Sequence, residues 1–271
     1  MLHYLLEDRN LVERKRWDWR KLSNTDASFL INEFKLDLKP KNYISPPVNQ
    51  HKNGYCGLCF LIAPCQVIHD KLKLFKKFRT DRHLDIQQIA NEYSKLLRNS
   101  VGVLRNQSQS ICFGGNPFDV LSLIKRRELG LIFSEFPQDV EYHPDTSMMN
   151  GNVVYVDIES IHKLPNDIDG LKLYILKNGP ILVKINSDTL FETSLDSSDS
   201  LDHVVSVIGW DGNNWIIRNT WGTGNTTRMR PKNPAIHEIQ DTTILRWKSE
   251  NGFAKLPFNS TTEFFDVKLK N

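Results

Sequence analysis

Three of the four cysteines, Cys56, Cys59 and Cys65, stand close together, with Cys112 apart from them. A cysteine does chemistry through its thiolate, and the thiolate forms where nearby positive charge favours it. Cys59 ends the run Gln50-His51-Lys52-Asn53-Gly54-Tyr55-Cys56-Gly57-Leu58-Cys59 and opens an apolar stretch with the length of a helix. A thiol at a helix N-terminus meets the positive end of the helix dipole. Paired with an imidazolium, its pKa can fall to roughly 3–4, which makes it a nucleophile at neutral pH.

The base for such a nucleophile must come from another segment. His203 heads the strand-like run His203-Val204-Val205-Ser206-Val207, and Asn219 closes a second such run in Arg218-Asn219-Thr220-Trp221-Gly222. Between them Asp211-Gly212-Asn213-Asn214 is a hairpin signal, so adjacent antiparallel strands would bring Asn219 beside His203. The side-chain oxygen of Asn219 could then accept the ring N–H and fix the tautomer. The competing reading of the cysteines is a zinc site, since Cys56-x-x-Cys59 has ligand spacing. That reading leaves the His203 and Asn219 runs unexplained, and we expect neither metal nor cofactor. Cys65 reads as a buried free thiol, and His69, His83, His143, His162 and His237 as packing or surface residues.

These side chains need elements to hold them. Apolar spacing predicts a long, mostly buried helix over 59–77, a second over 84–97 and a third from Pro117 through Ile124, where proline suits a first helical turn. Pro64 lies inside the first of these and should cost about 3 kcal/mol unless the helix kinks. After about residue 150 the pattern turns to short strands at 153–156, 181–185, 204–210, 215–218 and 264–269. A helical front and a β-rich back suggest an α+β protein of two lobes sharing a cleft.

Composition narrows the function classes. The 271 residues carry a net charge of +3, too mild to argue for nucleic acid. No apolar run approaches the roughly eighteen residues of a membrane span, and the first residues lack the apolar core of a secretory signal. Asn106, Asn225 and Asn259 head Asn-x-Ser/Thr triplets, which arise readily by chance in this Asn-rich chain.

Taken together, these motifs resemble the papain family of cysteine peptidases, and within it most closely the cathepsin X group. The order Gln, Cys, His, Asn fits. His203 follows Cys59 by 144 positions and Asn219 by 160, near the family's roughly 130–150. Cys112-Phe113-Gly114-Gly115-Asn116 and Gly179-Pro180 resemble further family segments. The resemblance spans about residues 40–271. It implies a two-lobed fold with a helical lobe (about 50–150), a β-barrel-like lobe (about 151–271) and the active site between them.

It also implies roles. Cys59 would be the nucleophile, His203 its base, Asn219 the orienting group and Gln50 an oxyanion donor beside the Cys59 backbone N–H, such donors being worth about 2.7–4 kcal/mol each. Cys56 would pair with Cys112 in a disulfide. Gly114, Gly115, Asn116 and Asp202 would meet an extended peptide, and Trp221 would shield the Asn219–His203 bond. His51, directly after Gln50, matches the cathepsin X loop histidine that binds a substrate's C-terminal carboxylate, which implies carboxypeptidase activity. Lys184 reads as a solvated lysine; the alternative places it in the pocket for the substrate residue two before the cut, where it would favour an acidic group. Phe60 and Leu58 depart from the family's usual Trp and Ser or Ala, as apolar swaps that leave the chemistry intact.

The family is generally made as zymogens, so residues 1–36 would be a prosegment and 37–271 the peptidase domain, with an insertion at about 225–246. No cysteine precedes Cys56, so inhibition would be non-covalent, by occupying the cleft. The alternative is that Trp17-Asp18-Trp19-Arg20, which resembles the mature start of that group, belongs to the domain. Peptide or protein substrates, a monomer and a lysosome-like or other acidic compartment complete what the resemblance implies. The rival is a catalytically inactive papain-like binding or regulatory protein.

Overall fold

The computed structural model describes residues 13–50, 56–75, 83–100, 111–134, 152–192, 200–229 and 243–270. Strand β1 (Arg16–Asp18) leads into helix α1 (Asn24–Phe34). Ser23 and Asp26 form a reciprocal capping box at its start, and Lys35 ends it with φ at 58°. Helix α2 (Cys59–Phe75) runs through Pro64 as one helix. Leu61, Ile62, Cys65, Val67 and Ile68 have no solvent exposure, so α2 is buried nearly all round and forms the axis of its lobe.

Around it lie β2 (His83–Leu84), α3 (Ile86–Ser100), α4 (Pro117–Lys125), β3 (Leu131–Ser134) and β4 (Asn152–Val154). Asn116 caps α4, with Pro117 in its first turn. The remaining elements are β5 (Ile158–Lys163), α5 (Ile168–Asn178), β6 (Ile181–Ile185), β7 (His203–Asp211), β8 (Asn214–Arg218), β9 (Thr226–Met229), β10 (Thr243–Arg246), β11 (Phe253–Pro257) and β12 (Thr262–Leu269).

The main sheet is antiparallel, in the order β11-β8-β7-β6-β12-β5, with β1 also pairing β7. The expected α+β fold with a helical lobe and a curved, barrel-like sheet is present, and the sheet stays open. Among the described residues β11 pairs only β8 and β5 only β12, so its two edges do not meet. Bulges in the β7–β8 and β12–β5 ladders curve it without closing it.

Alternation along the strands separates two cores. Leu182, Val204, Phe265 and Val267 face the helical lobe, whereas Ile181, Val183, Ile185, Val205, Val207 and Phe264 face away from it. The chain crosses between the lobes. Residues 13–36, expected in a removable segment, pack here with the sheet: Trp17 is opposite Trp210 in the β1–β7 ladder, and Trp17 and Trp19 are buried in the outer core. None of them lines the cleft. Gly209, with φ at 156°, gives β1 its close approach, because a Cβ there would stand 2.1 Å from the Trp17 carbonyl oxygen.

At 225–246 the expected insertion shows a β9–β10 hairpin in its described part, closed by the bond from the Trp247 N–H to the Asn225 carbonyl. Trp247 is fully buried, edge-on to Trp221. No helix among the described residues is long and apolar enough to cross a membrane.

Candidate active site

Three segments converge where β7 begins. The β7–β8 hairpin turns through Gly212 and Asn213, and its ladder carries Asn219 just past the end of β8. There the chain meets residues 48–50: the Gln50 N–H donates to the Thr220 carbonyl at 2.8 Å and the Gly222 N–H to the Val48 carbonyl at 3.0 Å. Nine residues on from Gln50, α2 starts at Cys59. Cys59, Gln50, His203 and Trp221 all line one cleft of about 280 Å³, with Gly114, Gly115 and Asp202 further along its walls.

Hydrogen bonds settle the polarity of the histidine. The Thr220 backbone N–H donates to Asn219 Oδ1 at 2.7 Å, and only an oxygen can accept it. The same oxygen lies 2.7 Å from His203 Nε2. Nε2 therefore carries the proton and donates, leaving Nδ1 as the ring nitrogen that can accept one. Trp221 stacks on the imidazole with ring centroids 4.7 Å apart, and Phe191 stacks on the far face of that indole at 5.0 Å. Both keep water from the His203–Asn219 bond, which is itself fully buried.

Gln50 is fixed in the same way. Its Oε1 accepts from the Thr220 hydroxyl at 2.5 Å, so the part of the amide that can serve the cleft is its N–H₂ donor. The Gly57 N–H donates to the Cys112 carbonyl at 2.7 Å, and the Cys56–Cys112 disulfide ties the same strands of chain together. Cys56 is thus not available as a thiolate, and among the described residues no cluster of three His, Cys, Asp or Glu could hold a metal ion. Gly115 has no room for a side chain: a Cβ would lie 2.5 Å from the Phe60 ring.

Burial pushes the Cys59 thiol up to about 11, against backbone N–H groups of Val204 and Phe60 that favour the thiolate. Burial likewise holds His203 below its usual range, against the pull of Asn219 and Asp202. Each group alone resists charge. Passing one proton from sulfur to Nδ1 creates both charges together in the same desolvated space, where their attraction is strongest. The arrangement thus sets a thiol, an imidazole acceptor and the Gln50 N–H₂ donor along one cleft.

The sequence matches the papain family of cysteine proteases over residues 34–228, more than half of the chain. This chain belongs to that family. Among its relatives are cathepsin Z of Onchocerca volvulus, 23% identical over 76% of this chain and 65% of its own, and papain of Carica papaya, 25% identical over 73% and 54%. The chain thus spans about half to two thirds of the length of these relatives. Solved structures with the same fold include the Carica candamarcensis protease CMS1MS2, with TM-score 0.55, 15% identity and coverage of 95% of this chain and 99% of that one. Procathepsin L2 of Tenebrio molitor gives 0.54 at 17% identity, covering 95% and 69%.

Within this papain-family chain, the structure brings Cys59, His203, Asn219, Gln50, Asp202, Trp221, Gly114, Gly115 and Asn116 together around the cleft. His51 lies outside the described residues. Asn116 spends its side-chain oxygen on the cap of α4, accepting from the Phe118 N–H at 3.2 Å. Asp202 spends its carboxylate on the Ser187 N–H and hydroxyl, at 2.8 and 2.9 Å. Sequence reasoning missed Thr220, which orients both Asn219 and Gln50, and Phe191, which backs Trp221. Thr220 carried a signal in its place between Asn219 and Trp221; nothing local pointed to Phe191.

Proposed function

We propose that this chain is a cysteine peptidase that hydrolyses peptide bonds through an acyl-enzyme on Cys59. The observation that carries the reading is the doubly held Asn219 oxygen, which leaves His203 Nδ1 as the acceptor in the cleft that Cys59 lines. In this reading Nδ1 takes the thiol proton as sulfur attacks the carbonyl carbon. The Gln50 amide and the Cys59 backbone N–H stabilise the tetrahedral oxyanion. The proton then goes to the departing amine, and water attacks the thioester by the same route in reverse. The inactive-homologue rival finds no vacancy among these four residues.

The test is a thiol-directed epoxide probe with peptide mapping, alongside hydrolysis of a peptide mixture. Labelling of Cys59 that blocks hydrolysis supports the reading; an unlabelled, inactive folded protein overturns it. Carboxypeptidase action rests on His51 and the cathepsin X likeness, and requires that amidating a peptide's C-terminus slows its cleavage.

For the zymogen we assign residues 13–36 to the peptidase domain, because β1 pairs β7 and Trp17 and Trp19 are buried. A removable inhibitory segment would then exclude residues 13–36. Deleting residues 1–12 should leave a folded, probe-reactive protein, whereas deleting 1–36 should unfold it. A folded, active protein lacking 1–36 would restore the longer prosegment.

A further inference from the structure

We propose that Lys184 makes the cleft select substrates bearing a carboxylate side chain near the scissile bond; this deepens the peptidase reading and rests on it. Lys184 sits on β6 opposite Val204, the residue after His203. By strand alternation it shares a face with Leu182, which is the face turned to the helical lobe, and it lines the cleft. A lysine on that face is unusual, because its strand neighbours Leu182 and Val204 are buried apolar residues.

Its surroundings form a pocket with a defined chemistry. The ammonium lies 5.2 Å from the centroid of the Phe118 ring and 5.9 Å from that of Phe265, and those two rings pack 4.8 Å apart. The rings pack against the lysine side chain, and Phe265 is fully buried, so what the cleft offers a substrate here is the ammonium itself. Lys184 keeps charge to offer. Its partner Glu263 is at 3.7 Å, and the same Glu263 oxygen is closer, 3.1 Å, to Lys163. Two ammonium groups thus share one carboxylate, and the pair retains a net positive charge. The acidic residue on the cleft wall, Asp202, has its carboxylate engaged by Ser187. A substrate glutamate fits this pocket better than its amide, because only the carboxylate completes the pairing of Lys184.

The experiment compares kcat/KM for peptides in which each position flanking the scissile bond carries Glu, Gln, Leu or Lys in turn. At one position Glu should exceed Gln by about tenfold, an advantage that shrinks with added salt, as expected of a partly exposed pair. Lys184→Met should abolish the Glu-over-Gln ratio, and Lys184→Glu should transfer the preference to Lys. Glu263→Gln should raise it, since Lys184 then loses its competing partner. Equal rates for Glu and Gln at every position, or a ratio unchanged in Lys184→Met, would overturn the assignment while leaving the peptidase reading standing. Absence of both hydrolysis and epoxide labelling in wild type would overturn both.

Discussion

The carboxylate of Asp70 lies 2.7 Å from the guanidinium of Arg218, and neither side chain has any exposure to solvent. Asp70 is on α2, the helix that Cys59 opens, and Arg218 directly precedes Asn219. The pair therefore fastens the nucleophile's helix to the strand that delivers the orienting asparagine. Arg218 also donates to the Ser45 carbonyl at 3.1 Å and to the Ser206 hydroxyl at 3.1 Å, while Ser45 donates its backbone N–H to Asp70 at 2.7 Å.

Such a pair is costly to break and cheap to replace as a whole. Asp70→Ala leaves a buried guanidinium uncompensated and should cost about 3–5 kcal/mol. The double variant Asp70→Leu/Arg218→Met should recover most of that loss in urea melts. If the double variant is less stable than either single one, the hydrogen bonds to Ser45 and Ser206 outweigh the ion pair.

Removing the orienting group tests a separate link. Asn219→Ala deprives His203 of the acceptor at 2.7 Å and lets the ring turn against Trp221. A positioned base contributes about 10²–10⁴-fold, and losing its orientation should forfeit about tenfold to a hundredfold in kcat. KM for a peptide should change little, since Asn219 is fully buried and does not line the cleft. A rise in KM at constant kcat would assign Asn219 to binding instead.

The thiol itself offers a third measurement. With its base gone in His203→Ala, burial is left to hold the Cys59 thiol protonated at neutral pH. Alkylation by iodoacetamide at pH 7 should therefore fall by about a thousandfold and rise steadily above neutrality. Wild type should react readily at pH 7. Equal rates in the two proteins would show that His203 does not govern the proton on Cys59.

How much of this could be read from the chain depends on how local the cause was. α2 was legible because a continuous apolar run can only be a buried element, and the hairpin because Asp211-Gly212 forces a turn. The His203–Asn219 pairing followed from that hairpin. By contrast β1 is three residues long and exists because β7 accepts it. β5, Ile158-Glu159-Ser160-Ile161-His162-Lys163, has weak alternation and owes its form to β12. α5 holds Gly170 and an apolar run that suits helix or strand equally, so the cap from Asp167 to the Gly170 N–H decides it. Asp70 and Arg218 stand 148 positions apart, and Thr220 and Gln50 170. No local pattern encodes such meetings.

His69 supplies the last prediction, and its sign is opposite to what an acidic setting would favour. It lies in α2, 2% exposed, with its ring edge against Phe133 at 5.1 Å. Burial holds its pKa down to about 3, helped by the positive charges of Lys73, Arg218 and His83. Unfolded, the imidazole takes up a proton near pH 6.5. Above that pH both states are neutral and the folded protein keeps its full stability. As pH falls below 6.5 the unfolded chain binds a proton that the folded one refuses, so stability drops until about pH 3. The loss should be about 2 kcal/mol at pH 5 and about 4 kcal/mol by pH 3. Urea melts of wild type and His69→Gln at pH 7, 6, 5 and 4 measure it. The variant lacks the titrating group, so its stability should fall less steeply across that range, with the two curves converging toward pH 4. Parallel curves would mean that His69 takes up its proton within the fold as readily as in the unfolded chain.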